Sequence, residues 1–325
     1  MVHTTVVGNY PRIGDSFEEQ SLRRAIARFD KGEIKQEDLH EAEREVVKGV
    51  LREQQDAGIE VVTDGQVTWY DSQSHIARKL KNVEIGGLVR YFDTNTYYRQ
   101  PVIRGAVEWK EPILVDEWKF AQANSKAPVK AVLTGPVTLA SLALDKHYGK
   151  RRGLATDLAT ALAEDVRGLV RAGAAYIQID EPILTSHPED LPLVTEGLDR
   201  IRAAKGSAHL TLFTFFGAVA KIYKDLLQAP VDSLGLDLVQ GAATWAALAK
   251  IGSKKPLALG VVDARNTKKE DPGAVAKRVL ELKDAVDLKG SYLSPSNGLE
   301  FLPRNRAQEK LRILTSAAKK IGVGA

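Results

Sequence analysis

Short apolar, β-branched runs alternate along this chain with longer stretches in which apolar residues recur every three or four positions. The short runs are Thr4–Val7, Glu60–Thr63, Val129–Leu133, Ala175–Ile179, Leu210–Phe213, Leu234–Val239, Leu257–Val262 and Ser291–Leu293. Each is followed by Gly, Pro or polar residues, the mark of a strand that ends in a turn. Among the longer stretches, Glu41–Ala57 places Val46, Val47, Val50 and Leu51 on one face with charge opposite. Leu158–Ala172 repeats this through Leu158, Leu162, Val166 and Val170, as a helix packed on a sheet requires. Gly58 and Gly173 follow as stop signals,.

Strands separated by crossover helices predict an α/β fold with a parallel sheet. About eight strands match a (β/α)8 TIM barrel, which typically needs ~250 residues and tolerates long loops. The 325 residues therefore predict one such domain over 1–325. The spacing is uneven only after the second strand, where an enlarged loop of about 66–128 carries Trp69, Tyr70, Tyr91, Phe92, Tyr97 and Tyr98. Those aromatic residues fit a satellite core or a stacking surface equally well.

Composition narrows the function. Hydrophobic residues make up 44% and charged residues 27% of the chain, enough for a large core and a solvated surface. With 46 basic against 42 acidic residues, interspersed and giving a net charge of +4, the chain lacks the basic stripe of a nucleic-acid binder,. The clusters Lys150–Arg152 and Lys268–Lys269 are short and read as solvated faces,. No apolar run approaches the ~20 residues of a membrane span. With no basic-then-apolar leader in Met1–Gly14, a cytoplasmic protein is expected. The chain has no Cys, which removes disulfides, thiolate nucleophiles and sulfur-based zinc sites. Its six His are scattered, and His75 is the best placed of them to meet a metal,.

In barrels of this class the chemistry gathers where the strands end. In order, those ends carry Asn9 and Arg12, Asp64 and Gln66, Thr134, Asp180 and Glu181, Thr214, Asp237, Asp263 with Arg265 and Asn266, and Ser294 with Asn297. Trp69 follows closely on the second. Carboxylates that pair an amine and an Arg that grips an acid would suit a small zwitterionic ligand. The plainer alternative is that Asp180 and Asp237 cap the following turns. The most specific local signal is Gln178-Ile179-Asp180-Glu181-Pro182, where only one of the two acids can face the strand interior,; Asp180 is the expected one. In Leu133-Thr134-Gly135-Pro136-Val137-Thr138, Gly135 permits a close approach and Pro136 fixes the turn,.

These segments, together with Gly8-Asn9-Tyr10-Pro11-Arg12, resemble the cobalamin-independent methionine synthase family from Val6 to about Lys319. Phe213-Thr214-Phe215-Phe216, Pro230-Val231 through Asp237-Leu238-Val239, and Gly260-Val261-Val262-Asp263-Ala264-Arg265-Asn266 look more like that family's metal-free amino-terminal half. Ser294-Pro295-Ser296-Asn297-Gly298-Leu299 resembles the last motif of its catalytic half.

The resemblance implies a methyltransferase of methionine biosynthesis, with Asp180 and Asp237 as catalytic positions. The ligand expected is an amino acid or one-carbon compound, and the strand-end reading gives Asn9, Arg12, Asp64, Gln66, Trp69, Thr134, Glu181, Thr214, Asp263, Arg265, Asn266 and Asn297 as the residues to hold it. The family's zinc ligands, a His-x-Cys pair, a Glu and a later Cys, fall here on Phe213, Phe215, Asp237 and Asn297, so no zinc is expected. Its amine-binding Glu appears as Gln66. A methylated folate is the donor the family implies, but the expected aromatic platform is Leu142. Two further possibilities stand beside a zinc-free methyltransferase. One is a non-catalytic partner of a separate zinc-bearing barrel; the other is a zinc-free decarboxylase-like enzyme.

Overall fold

The computed structural model describes residues 2–323. Met1, Gly324 and Ala325, at the edges of the expected 1–325 span, lie outside the described residues. In chain order the strands are β1 (His3–Thr4), β2 (Leu80–Arg90), β3 (Tyr97–Trp109), β4 (Lys130–Thr134), β5 (Leu144–Asp145), β6 (Tyr176–Asp180), β7 (His209–Thr214), β8 (Ser233–Asp237), β9 (Leu257–Val262) and β10 (Tyr292–Pro295). The helices are α1 (Ser21–Asp30), α2 (Gln36–Asp56), α3 (Ser74–Ala77), α4 (Val115–Ala123), α5 (Pro136–Leu142), α6 (Arg151–Ala172), α7 (Leu191–Ala204), α8 (Tyr223–Leu226), α9 (Ala242–Ile251), α10 (Pro272–Leu280) and α11 (Arg304–Val323). The fold is of the (β/α)8 class, with hydrogen-bonded strand order β1-β10-β9-β8-β7-β6-β4,.

The chain forms two compact units. One comprises the residues up to Thr68, Phe120–Val129 and those from Leu236 onward. In it β1 pairs in parallel with β10, and β10 with β9. The second expected strand, Glu60–Thr63, makes only isolated bridges, Thr5 to Val61 and Val62 to Val129. The reason lies in α2. The Gln54 amide donates to the Thr63 carbonyl at 2.8 Å and accepts from the Thr63 N–H at 3.0 Å. A helix side chain thus satisfies backbone groups that a neighbouring strand would otherwise pair. Gly58 ends this helical segment at φ 86°, a left-handed conformation that Gly adopts without steric cost,.

The other unit comprises Trp69–Lys119 and Lys130–Gly235. Its parallel strands β4, β6 and β7 pair in register, with Thr134 opposite Asp180 and Asp180 opposite Phe213. α6 and α7 pack against each other and bury Leu158, Leu162, Val166, Leu198 and Ile201. Most of the enlarged loop, Trp69–Lys119, also belongs here, and it contains structure the apolar pattern does not predict: β2 and β3 form a long antiparallel hairpin. Its register slips at two points, with Asn82 at φ 60° beside the first,. Its aromatic residues divide. Trp69 and Tyr98 are buried, whereas Tyr70 and Tyr97 are exposed.

Candidate functional site

The end of β6 carries Asp180 and Glu181, and the structure sends them to different partners. Both are buried. Asp180 lies on the same face as Gln178, two residues back along the strand, and accepts a hydrogen bond from the Gln178 amide at 2.7 Å. The Gln178 carbonyl oxygen in turn accepts from the Lys130 ammonium at 2.6 Å. Burial pulls the Lys130 ammonium below its ordinary range, and the Asp180 carboxylate opposes that shift.

Glu181 turns instead to the start of α5. Its carboxylate accepts from the Val137 N–H at 2.9 Å, the Thr138 N–H at 2.8 Å and the Thr138 hydroxyl at 2.6 Å. Burial pushes its pKa up to about 7 against those three bonds. The close approach expected of Gly135 serves this carboxylate: a Cβ there would lie 2.3 Å from Glu181 Oε1. Thr134 donates to the Ser72 carbonyl at 2.9 Å and Thr214 to the Gly235 carbonyl at 3.3 Å. Trp69 stacks on His75 at 4.5 Å and donates to Glu117 at 3.1 Å, and His75 stands 3.1 Å from the same carboxylate. Glu117 escaped sequence reasoning because its partners are more than forty positions away.

In the other unit, Asp64 accepts from the Gln66 N–H at 3.0 Å, and Gln66 follows in a left-handed conformation at φ 52°. The Gln66 side chain is buried and its carbonyl oxygen accepts no hydrogen bond. Arg12 donates to the Val67 carbonyl at 3.2 Å, and the Asn9 carbonyl accepts from the Leu299 N–H at 2.9 Å. Asp237 caps its own turn, accepting from the Val239 and Gln240 N–H groups at 2.9 Å. Asp263 does likewise with Arg265 at 2.8 Å and Asn266 with Lys268 at 2.9 Å. The Arg265 side chain is exposed, with its guanidinium 5.8 Å from the centre of the Phe301 ring. Asp263 and Asn266 border a cavity of about 410 Å³ against α10, shared with Lys268, Glu270 and Arg278. Asn297 is fully buried, donates to Ser296 at 3.2 Å, and leaves its own oxygen without a donor.

The positions that would hold zinc do not fit it. Phe213 and Phe215 are buried rings 6.2 Å apart with no donor atom. The Phe213 ring packs against Gly235, where a Cβ would come within 2.0 Å of it. Asp237 and Asn297 supply one carboxylate and one amide, short of a tetrahedral zinc site. Among the described residues no group of three His, Cys, Asp or Glu is placed to hold a metal ion. Leu142, at the expected pterin platform, contributes a carbonyl that accepts from the Tyr98 hydroxyl at 2.8 Å. No helix among the described residues is long and apolar enough to cross a membrane.

Comparison with known proteins places this geometry in context. The model of the cobalamin-independent synthase N-terminal domain matches residues 3–84 and 73–287. The methionine synthase of Saccharolobus solfataricus is 32% identical over 324 residues, covering 99% of this chain and 95% of that protein. That of Sulfurisphaera tokodaii is 32% identical, covering 97% and 91%. Among solved structures, a B12-independent methionine synthase from Shewanella sp. W3-18-1 in complex with selenomethionine superposes with a TM-score of 0.83 at 21% identity, covering 100% of this chain and 98% of that one. A methyltransferase from Methanosarcina mazei has a TM-score of 0.63 at 14% identity, covering 98% and 94%.

Proposed function

Because this chain belongs to the cobalamin-independent methionine synthase family, we propose that it is a methyltransferase-like protein that binds a small α-amino acid of the methionine or homocysteine type without zinc. The observation that carries this reading is Asp180. It is a buried carboxylate at a strand end, oriented by the Gln178 amide at 2.7 Å, and suited to an ammonium group,. The solved relative from Shewanella holds selenomethionine, a ligand of that chemistry.

Thiol activation is the step this chain is least equipped for. A free thiol of pKa ~8.5 is mostly protonated at neutral pH. The rings of Phe213 and Phe215 supply nothing to change that. The same substitution favours a second reading, in which the barrel binds the amino acid but works beside a separate zinc-bearing barrel. A methylated folate as donor fits poorly in either case, given Leu142 at the platform position.

Calorimetric titration of metal-free protein with L-methionine and L-homocysteine tests the proposal. Saturable binding of either at one site per chain is expected. Absence of binding to both at millimolar concentration would sink it. Methionine formation from homocysteine only when a zinc-bearing barrel is added would select the second reading.

A further inference from the structure

The inner positions of barrel strands in this class are ordinarily filled by branched apolar side chains. Beneath Asp180, this chain buries polar groups instead. Lys130 and Gln178 are buried at 5% and 0% exposure. Nearby, the Thr211 and Ser233 hydroxyls stand 2.8 Å apart and His209 Nε2 lies 2.8 Å from Ser233. Taking an ammonium and an amide out of water costs stability unless their partners are well placed, so the arrangement calls for a reason beyond packing.

The hydrogen bonds point to one. An amide has one accepting and one donating end. With its oxygen held by the Lys130 ammonium at 2.6 Å, Gln178 can present only its N–H group to Asp180 at 2.7 Å. Flipping the amide would set donor against donor at Lys130 and acceptor against acceptor at Asp180. We propose that Lys130 is a positioning residue, which acts through Gln178 to fix the Asp180 carboxylate for the ammonium group of an α-amino acid ligand. This rests on the assignment of Asp180 to that ligand group in the proposed function. It adds that amine recognition depends on a cation at the far end of a buried chain, which itself touches no ligand.

The test is selectivity, which loss of folding alone would not change. The wild-type chain should bind L-methionine more tightly than its α-keto acid analogue, in which a carbonyl replaces the amino group. Lys130→Met keeps length and removes charge. It should weaken L-methionine about tenfold and leave the keto acid nearly unchanged, because the loss falls on the amine contact. Gln178→Met, which removes the donor to Asp180 and keeps Lys130, should give the same loss of preference. In the double variant the loss should not grow further, as expected for residues acting in series. If wild type prefers methionine and both variants keep that preference, Lys130 is structural and the inference falls. If wild type shows no preference for the amine, the assignment of Asp180 fails first. If wild type binds neither compound, the proposed function fails with it.

Discussion

Asp180 and Glu181 are chain neighbours with opposite duties: Asp180 accepts from Gln178 at 2.7 Å, while both oxygens of Glu181 are engaged by Val137 and Thr138. The first faces the polar chain of Gln178 and Lys130. The second closes the start of α5 onto the end of β6.

Substitutions should separate these roles. Asp180→Asn should weaken L-methionine by ~2–5 kcal/mol, the cost of removing one partner from a buried charged contact, and should also lower the melting temperature, because the buried Lys130 ammonium loses the carboxylate that favours its charge,. Glu181→Gln should affect stability alone. It points an N–H group at existing donors, which costs ~1–3 kcal/mol of stability, while methionine affinity holds. Differential scanning calorimetry paired with isothermal titration reads both, and a Glu181→Gln chain that folds normally but no longer binds methionine would contradict this division.

Gly135→Ala should reproduce the Glu181 defect. Its Cβ would fall 2.3 Å from the Glu181 carboxylate, which is fully buried and tied to three donors. Overpacking of this sort costs ~1–3 kcal/mol. Combined with Glu181→Ala, which empties the space, Gly135→Ala should cost much less than it does alone. Additive losses in the denaturant midpoint would show that Gly135 matters for some other contact.

Stability should fall as pH rises from mildly acidic to neutral. Burial pushes Glu181 and Glu300 up to about 7 and Asp165 up to about 6. Unfolded carboxyls titrate near ~4, so between those values the folded chain holds protons the unfolded chain has released. The contribution of these groups is therefore complete below pH ~4 and is lost as pH passes through their folded pKa values. Glu300, whose Oε2 has no hydrogen-bond partner, is the cleanest probe. Glu300→Gln should flatten the decline and raise the melting temperature at pH 7.5 by the equivalent of roughly 1–3 kcal/mol. An unchanged slope would remove Glu300 from the account.

Zinc should be far below one per chain in protein purified without a metal-affinity tag, measured by plasma mass spectrometry. Phe213→His should not create a site, because Phe215, Asp237 and Asn297 still lack the thiolates a tetrahedral centre would draw on. Zinc at one equivalent surviving dialysis would overturn the donor-set argument and direct attention to His75 and Glu117, which stand 3.1 Å apart.

The fold was legible where burial is symmetrical. Runs such as Leu257–Val262 are apolar throughout and recur as β9 with the expected bounds, and Gly173 ends α6 at φ 103°. The β2–β3 hairpin was not legible, because most of β2 is solvent-exposed and its one alternating stretch, Val83-Glu84-Ile85, is too short to mark a strand,. At the site, the turn after Gln178-Ile179-Asp180 announced itself through Pro182. The role of Glu181 did not, since its partners lie 43 and 44 residues away. Lys130 was hidden differently. It sits at the edge of an apolar run, where a lysine reads as the solvated start of a strand until its parity with Thr134, and that of Gln178 with Asp180, is considered.

The clamp of Gln54 on Thr63 bears on how position 66 tolerates substitution. Asp64 and Gln66 are presented by a segment whose attachment leans on one helix side chain as well as on two isolated bridges, instead of on a full ladder shared with two neighbours. The Thr63 hydroxyl adds a bond to the Gly8 carbonyl at 2.7 Å, and the Tyr10 N–H one to the Gly65 carbonyl at 3.0 Å. None of these bonds uses the side chain of residue 66, so that side chain can be exchanged while the anchorage of its segment stays in place.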